Sequence, residues 1–137
     1  MFGRLMTIAS ALLLLCGSAQ AAAVVRTGVL KIVCTITTDA SVAKGSSFSL
    51  FVTARGSGLD AYQIVSTSAT AVKSASSQTV TIMLPYKWTL TDPQNIVPIY
   101  LTVGKGTYPN TATVTESITI PTPANGATTT VKFPVRI

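Results

Sequence analysis

Apolar and polar residues alternate along this chain with a period of two, which is the pattern of a β-strand with one buried face. The alternation is strictest from Thr79 to Thr91, and its apolar phase holds Val80, Ile82, Leu84, Tyr86, Trp88 and Leu90. The C-terminal segment repeats the pattern with Val131, Phe133, Val135 and Ile137. No segment carries a sustained apolar stripe at helical spacing. The sequence therefore predicts an all-β protein in which Tyr86 and Trp88 pack in the core.

Further strands are predicted at 30–36, 46–55, 61–66, 96–103 and 111–121, separated by segments rich in Gly, Pro, Asn, Asp and Ser. The Ser/Thr/Ala stretch 66–77 fits a loop, a short strand or a helical turn. About seven strands at this spacing are typical of an antiparallel two-sheet β-sandwich, Ig-like in the broad sense.

Two residues interrupt the alternation. Glu116 falls in the apolar phase of 111–121, where an unpaired buried carboxylate would be costly. A bulge or a break between two short strands is therefore expected there. Pro134 cannot donate a backbone hydrogen bond, so the last strand is predicted to lie at a sheet edge or to direct its proline outward.

The first 21 residues read as a secretory signal peptide. A basic opening at Arg4 precedes a short apolar run, and Ala19-Gln20-Ala21 fits the small-residue rule for cleavage. Cleavage after Ala23 is a second register. Residues 22–137 are then expected to form a single domain without a transmembrane helix, exported to the periplasm, the cell surface or the extracellular space.

Charge and cysteine content restrict the function further. Charged residues make up 10% of the chain, and removal of the leader leaves nine basic and four acidic residues. The basic residues are spread singly: Arg26, Lys31, Lys44, Arg55, Lys73, Lys87, Lys105, Lys132 and Arg136. They are predicted as solvated charges on outer faces, with binding of acidic polymers or anionic surfaces as the alternative, and no nucleic acid is expected. Cys34 has no cysteine partner after cleavage and is predicted as a small buried hydrophobic residue.

Most catalytic chemistry is excluded by residue type. The chain has no histidine, which removes Ser-His and Cys-His nucleophile pairs and the usual zinc sites. The four acids stand apart in sequence. Ser41-Val42-Ala43-Lys44 matches S-x-x-K but lies in a predicted turn without its partner motifs. We therefore predict no catalytic, cofactor-binding or metal-binding residue, and a protein that is not an enzyme.

The N-terminal strand is apolar on both faces. Leu30, Ile32, Cys34 and Ile36 fill one face, and Val25, Val29 and Val33 lie on the other. A strand of this kind needs cover on both sides. Either it pairs centrally in its own fold, or the segment 22–33 docks into a groove on another molecule.

In several respects the chain resembles bacterial fimbrial subunits of the chaperone–usher kind. It shares a signal peptide, a weakly charged Thr-rich β-domain, an apolar stretch from Ala22 to Val33 and a last strand from Thr129 to Ile137. The resemblance implies a sandwich lacking one strand, which the N-terminal extension of a neighbouring subunit supplies. It also implies that Val25, Val29 and Val33 are the inserting side chains, and that the partner is a protein or another copy.

A self-contained exported Ig-like module is the alternative. Such a protein binds a protein, a polysaccharide or another surface ligand through its loops. The turn-rich segments 55–61 and 104–110 would then carry recognition, through Arg55, Asp60, Lys105, Tyr108 and Asn110.

Overall fold

The computed structural model of the chain describes residues 23–56, 63–90, 96–106 and 112–137. The predicted signal peptide 1–21 lies outside the described residues, as do the candidate loop residues Asp60, Tyr108 and Asn110. None of the described residues forms a helix long and apolar enough to cross a membrane.

Within the described ranges, seven strands form two sheets, which confirms the prediction of an all-β, two-sheet sandwich. In chain order they are β1 (Val24–Thr37), β2 (Ser47–Arg55), β3 (Ile64–Val72), β4 (Ser77–Leu90), β5 (Ile96–Lys105), β6 (Ala112–Pro121) and β7 (Thr128–Arg136). One sheet has three strands in the order β4-β1-β7, and the other has four in the order β3-β2-β5-β6.

All pairings but one are antiparallel, as expected. The exception is β1 with β7, which run parallel from Val29 opposite Thr128 to Thr37 opposite Arg136. The two strands stand at opposite ends of the chain, so no short turn joins them and forces an antiparallel arrangement. β1 is consequently the central strand of its sheet, with β4 antiparallel on its other side.

The core lies between the two sheets and is built from alternate residues of β1, β2, β4, β5 and β7. Its largest fully buried side chains include Trp88, Phe48 and Phe133. The rings of Tyr86 and Trp88 stack with centroids 4.1 Å apart. The predicted burial of Tyr86, Trp88 and Cys34 is confirmed.

Of two predictions that concern the edge strands β7 and β6, the first is confirmed and the second is wrong. β7 is an edge strand, so the prediction from Pro134 is confirmed. The predicted break at Glu116 is wrong, because β6 pairs with β5 in an unbroken register from Ala112 to Pro121. Glu116 is exposed although it shares the phase of Val114 and Ile118. β6 is an edge strand whose inner phase is only partly covered, so the carboxylate stays in solvent.

The predicted short strand at 61–66 is wrong in its extent, and a strand is the correct alternative for most of the stretch 66–77. β3 continues through most of the Ser/Thr/Ala stretch to Val72, and Ile64 points outward with 53% of its surface exposed. The inward residues are Val65, Thr67, Ala69 and Ala71. Because threonine and alanine cover most of this inner phase, the strand has little hydrophobic contrast between its faces.

Replacement of Gly28 by alanine is expected to destabilise the fold by about 1–3 kcal/mol. A Cβ at this position would lie 2.5 Å from the Tyr86 hydroxyl oxygen and 2.6 Å from the Ala127 carbonyl oxygen. The second of these is a backbone atom and cannot rotate away. Chemical denaturation of Gly28→Ala should show the loss, and Lys31→Ala on the exposed face of the same strand should not. Equal stability of the two variants would contradict this packing.

Candidate functional site

The candidate site is the place of β1 between β4 and β7. Neither of these neighbours pairs with any other strand in the described chain, so β1 completes the hydrogen bonding of both. Its register covers all 14 of its residues against β4. Against β7 the pairing starts only at Val29. The three-stranded sheet therefore narrows to two strands over Val24–Gly28.

The side chains that β1 places in the core are Leu30, Ile32, Cys34 and Ile36, each with 0% of its surface exposed. Complete burial of an aliphatic side chain stabilises a fold by roughly 1.5–3 kcal/mol, so the three aliphatic residues alone contribute several kcal/mol. That is a large part of the stability of an ordinary small domain. Loss of β1 would therefore leave the sandwich open.

The three valines identified from the sequence lie on the opposite face of β1. Val25 is 48% exposed, whereas Val29 and Val33 are half-buried on the outer surface of the sheet. Inner-face packing by β1 thus comes from the Leu30–Ile36 phase. The predicted burial of Cys34 assigned this same phase to the core, and the structure confirms it.

The connection 38–46 between β1 and β2 is tied to the segment that joins β3 to β4. The backbone N–H of Thr38 donates to the Ser76 carbonyl at 2.9 Å. Two further backbone bonds join Gly45 N to Lys73 O at 3.0 Å and Lys73 N to Ser46 O at 2.8 Å. Val42 from this connection enters the core. The link that carries β1 is therefore held in one place.

Lys73 strengthens this attachment through its side chain. The ammonium group donates to the carbonyl oxygens of Val42, at 2.5 Å, and of Asp39, at 3.3 Å. The residue is 9% exposed, so the prediction of Lys73 as a solvated outer-face charge is wrong. It directly follows β3, outside any strand alternation, so the sequence pattern does not indicate its burial.

At the end where the sheet narrows, three buried polar atoms have no hydrogen-bond partner among the residues that the structure describes. They are Arg26 Nε, the Tyr86 hydroxyl oxygen and Trp88 Nε1. Arg26 is opposite Trp88 in the β1–β4 register. Burial raises the pKa of Tyr86, and the positive charge of Arg26 acts in the opposite direction. Arg26 shares the inward-facing phase of Leu30 and Ile32. This phase is a sequence signal that could have shown that Arg26 is not one of the solvated outer-face cations.

Cys34 does not provide a reactive centre. Desolvation by burial raises the pKa of its thiol to about 11, so the group stays protonated at neutral pH. A thiol is a weak nucleophile in comparison with its thiolate. Within the described ranges, no group of three or more His, Cys, Asp or Glu side chains could hold a metal ion.

The outer face of the four-stranded sheet is nearly uncharged. It carries five of the seven large hydrophobic side chains that are exposed among the described residues: Phe51, Ile64, Val72, Ile96 and Tyr100. Most of its other outward positions are serine or threonine, and Arg55 is the one charged residue among them. Thr102 and Thr115 share a hydrogen bond of 2.9 Å across β5 and β6 on this face.

The candidate loop residues that the structure describes do not come together. Arg55 ends β2 and Lys105 ends β5. Since Phe48 is opposite Lys105 and Ala54 is opposite Ile99, the two cations lie at opposite ends of the β2–β5 pair. They belong to different poles of the sandwich.

Replacement of Lys73 by methionine is expected to lower the free energy of unfolding by about 2 kcal/mol or more. Methionine retains the apolar length of the side chain but leaves the buried Val42 carbonyl without its charged donor. Denaturant titration of Lys73→Met should reveal the loss. Lys44→Met, at an exposed position in the same connection, is the matched control and should change stability by less than about 0.5 kcal/mol. Similar losses in both variants would speak against the attachment.

Replacement of Tyr86 by phenylalanine is expected to leave stability unchanged or to raise it by up to about 1 kcal/mol, because the hydroxyl it removes is buried and unpaired. Thermal unfolding of Tyr86→Phe beside Tyr100→Phe, an exposed tyrosine, measures this. A loss of more than about 1 kcal/mol at position 86 alone would mean that the hydroxyl has a partner.

No model of a known protein family matches the chain, and no curated protein or solved structure matches it either. Any functional assignment therefore rests on where the chain places its own residues. The N-terminal strand β1 is central in its sheet, and hydrogen bonds hold the connection that follows it. The outer faces of the two sheets differ in chemistry.

Proposed function

We propose that the chain is an exported, non-enzymatic structural or adhesive protein, similar to a fimbrial subunit, whose copies join by exchange of β1. The observation that carries the proposal is the position of β1. Within the described chain it is the first strand, it lies between two strands that pair with nothing else there, and a single connection joins it to the remainder.

The chemistry of exchange follows from this position. β4 and β7 present backbone donors and acceptors that any second β1 can satisfy equally well, since the sequence of every copy is the same. The Leu30–Ile36 face of the incoming strand would fill the space that the resident strand leaves. Strand addition of this kind combines main-chain hydrogen bonds with pockets for alternate side chains.

Exchange in one direction links copies head to tail. If each copy gives β1 to the next and receives one from the previous copy, the contact is heterologous and does not close unless a ring forms. A filament results. The export signal, the low charge and the Thr-rich surface support such a role outside the cell.

The second candidate is a self-contained exported module that binds a protein or a polysaccharide. It is favoured by the fact that β1 occupies its place within its own chain, with Leu30 to Ile36 already buried. In that case the copies remain separate and recognition takes place on the surface of one sandwich.

Paired cysteines distinguish the two candidates. Val33 and Thr81 are partners in the β1–β4 register and face outward. The Val29 N–H and the Thr37 C=O both form backbone hydrogen bonds on the β7 side of β1. The odd-numbered residues of β1 therefore form non-hydrogen-bonded pairs with β4. Such pairs have Cα atoms about 4.5 Å apart, which suits a disulfide. Chains carrying only Val33→Cys, mixed and oxidised with chains carrying only Thr81→Cys, should form inter-chain disulfides.

The control uses a pair that exchange of β1 does not involve. Thr53→Cys and Ser66→Cys, partners in the β2–β3 register, should give no inter-chain disulfide in the same mixture. The double variant Val33→Cys/Thr81→Cys should lock β1 into its own chain and abolish assembly. A wild-type chain that stays monomeric at all concentrations, with no cross-link between the single variants, would favour the self-contained module.

A further inference from the structure

The outer face of the three-stranded sheet gathers cations that are scattered in the sequence. Lys31 on β1, Lys87 on β4 and Lys132 on β7 all lie on this face and are exposed. None of the three has a hydrogen bond or ion pair with another described residue. Arg136 stands at the end of the same face and pairs with Asp39 at 3.0 Å.

The three lysines lie on a diagonal across the sheet. Lys87 is opposite Thr27, four residues before Lys31. Lys132 is opposite Val33, two residues after Lys31. With strands about 4.8 Å apart and a rise of about 3.3 Å per residue, Lys31 is roughly 8 Å from Lys132 and roughly 14 Å from Lys87. The Debye length is about 8 Å at physiological ionic strength, so Lys31 and Lys132 act together on a polymer laid along the diagonal, whereas Lys87 is a separate contact point on it.

No negative charge on these strands opposes the cations. β1, β4 and β7 contain no acidic residue. The other positions of the face are mixed: threonine hydroxyls, among them Thr81, Thr128 and Thr130, flank the lysines beside Val29, Val33, Met83 and Pro85. The outer face of the other sheet, with Arg55 as its one charge, offers no comparable attraction.

We infer that this face, defined by Lys31, Lys87 and Lys132, binds an anionic polysaccharide. Carboxylate groups spaced along the polymer meet the ammonium groups, and the threonine hydroxyls exchange hydrogen bonds with the sugar hydroxyls between them. The inference goes beyond the proposed function and does not require strand exchange, because one sandwich carries the whole face.

A polysaccharide suits this surface better than a lipid bilayer. In β1, β4 and β7, the large hydrophobic side chains that are exposed are Val25 and Met83. Two such side chains are too few to anchor this face in the acyl region of a bilayer. The threonine hydroxyls beside the lysines can instead exchange hydrogen bonds with a hydrated polymer. The experiment must therefore distinguish binding to a polysaccharide from binding to anionic vesicles.

The experiment measures binding of the full chain to polygalacturonate, at about 50 mM and about 200 mM salt, with dextran as the neutral polymer. Wild-type protein should bind polygalacturonate and weaken as salt rises, and it should not bind dextran. Lys31→Gln/Lys132→Gln should reduce affinity about tenfold or more at the lower salt. Lys31→Arg/Lys132→Arg should retain it.

A control of equal charge tests whether position matters. Lys44→Gln removes one charge from an exposed position elsewhere and should change affinity less than about twofold, whereas Lys132→Gln, which also removes one charge, should weaken binding clearly more. Lys87→Gln gives an independent single-site loss on the diagonal. Equal weakening by Lys44→Gln and Lys132→Gln would reduce the effect to net charge and overturn the inference. So would binding to phosphatidylserine vesicles without binding to polygalacturonate.

Discussion

The sandwich depends on one strand that bridges two others. β4 and β7 have no partner but β1 in the described chain, and four fully buried side chains of β1 line the core beneath them. Backbone groups left without partners in a buried setting are costly, so a chain without β1 would hold two incomplete edges over an open interior. The bonds of Thr38, Gly45 and Lys73 to the neighbouring connection keep this strand in its place.

Buried polar groups are treated differently at the two ends of β1. At its C-terminal end, the Lys73 ammonium donates to two carbonyl oxygens of the connection there. At its N-terminal end, where β7 no longer accompanies β1, atoms of Arg26, Tyr86 and Trp88 have no partner among the described residues. Within the described part of the chain, buried polar groups are thus better satisfied near the connection to β2 than at the start of β1.

The sequence predicted the strands with strong contrast between their two faces. Thr79–Thr91 and the last residues were identified because large apolar side chains occupy every second position. β3 was predicted only in part because Thr67, Ala69 and Ala71 give its inner phase the same character as its outer one. The exposure of Glu116 and the burial of Lys73 depend on which strands end up at an edge and which connections meet. Alternation within one segment carries no information about either, nor about the diagonal of lysines, which arises only from register.

The reach of the basic diagonal changes if copies of the chain are joined. Every unit rebuilt from β4, β7 and a donated β1 regenerates the same trio of lysines, so a filament repeats it once per subunit. Attachment to a long polymer is then multivalent, and each further contact occurs at a high effective concentration set by the subunit spacing. Binding to the polymer that is weak for a monomer would become tight and salt-sensitive for a filament.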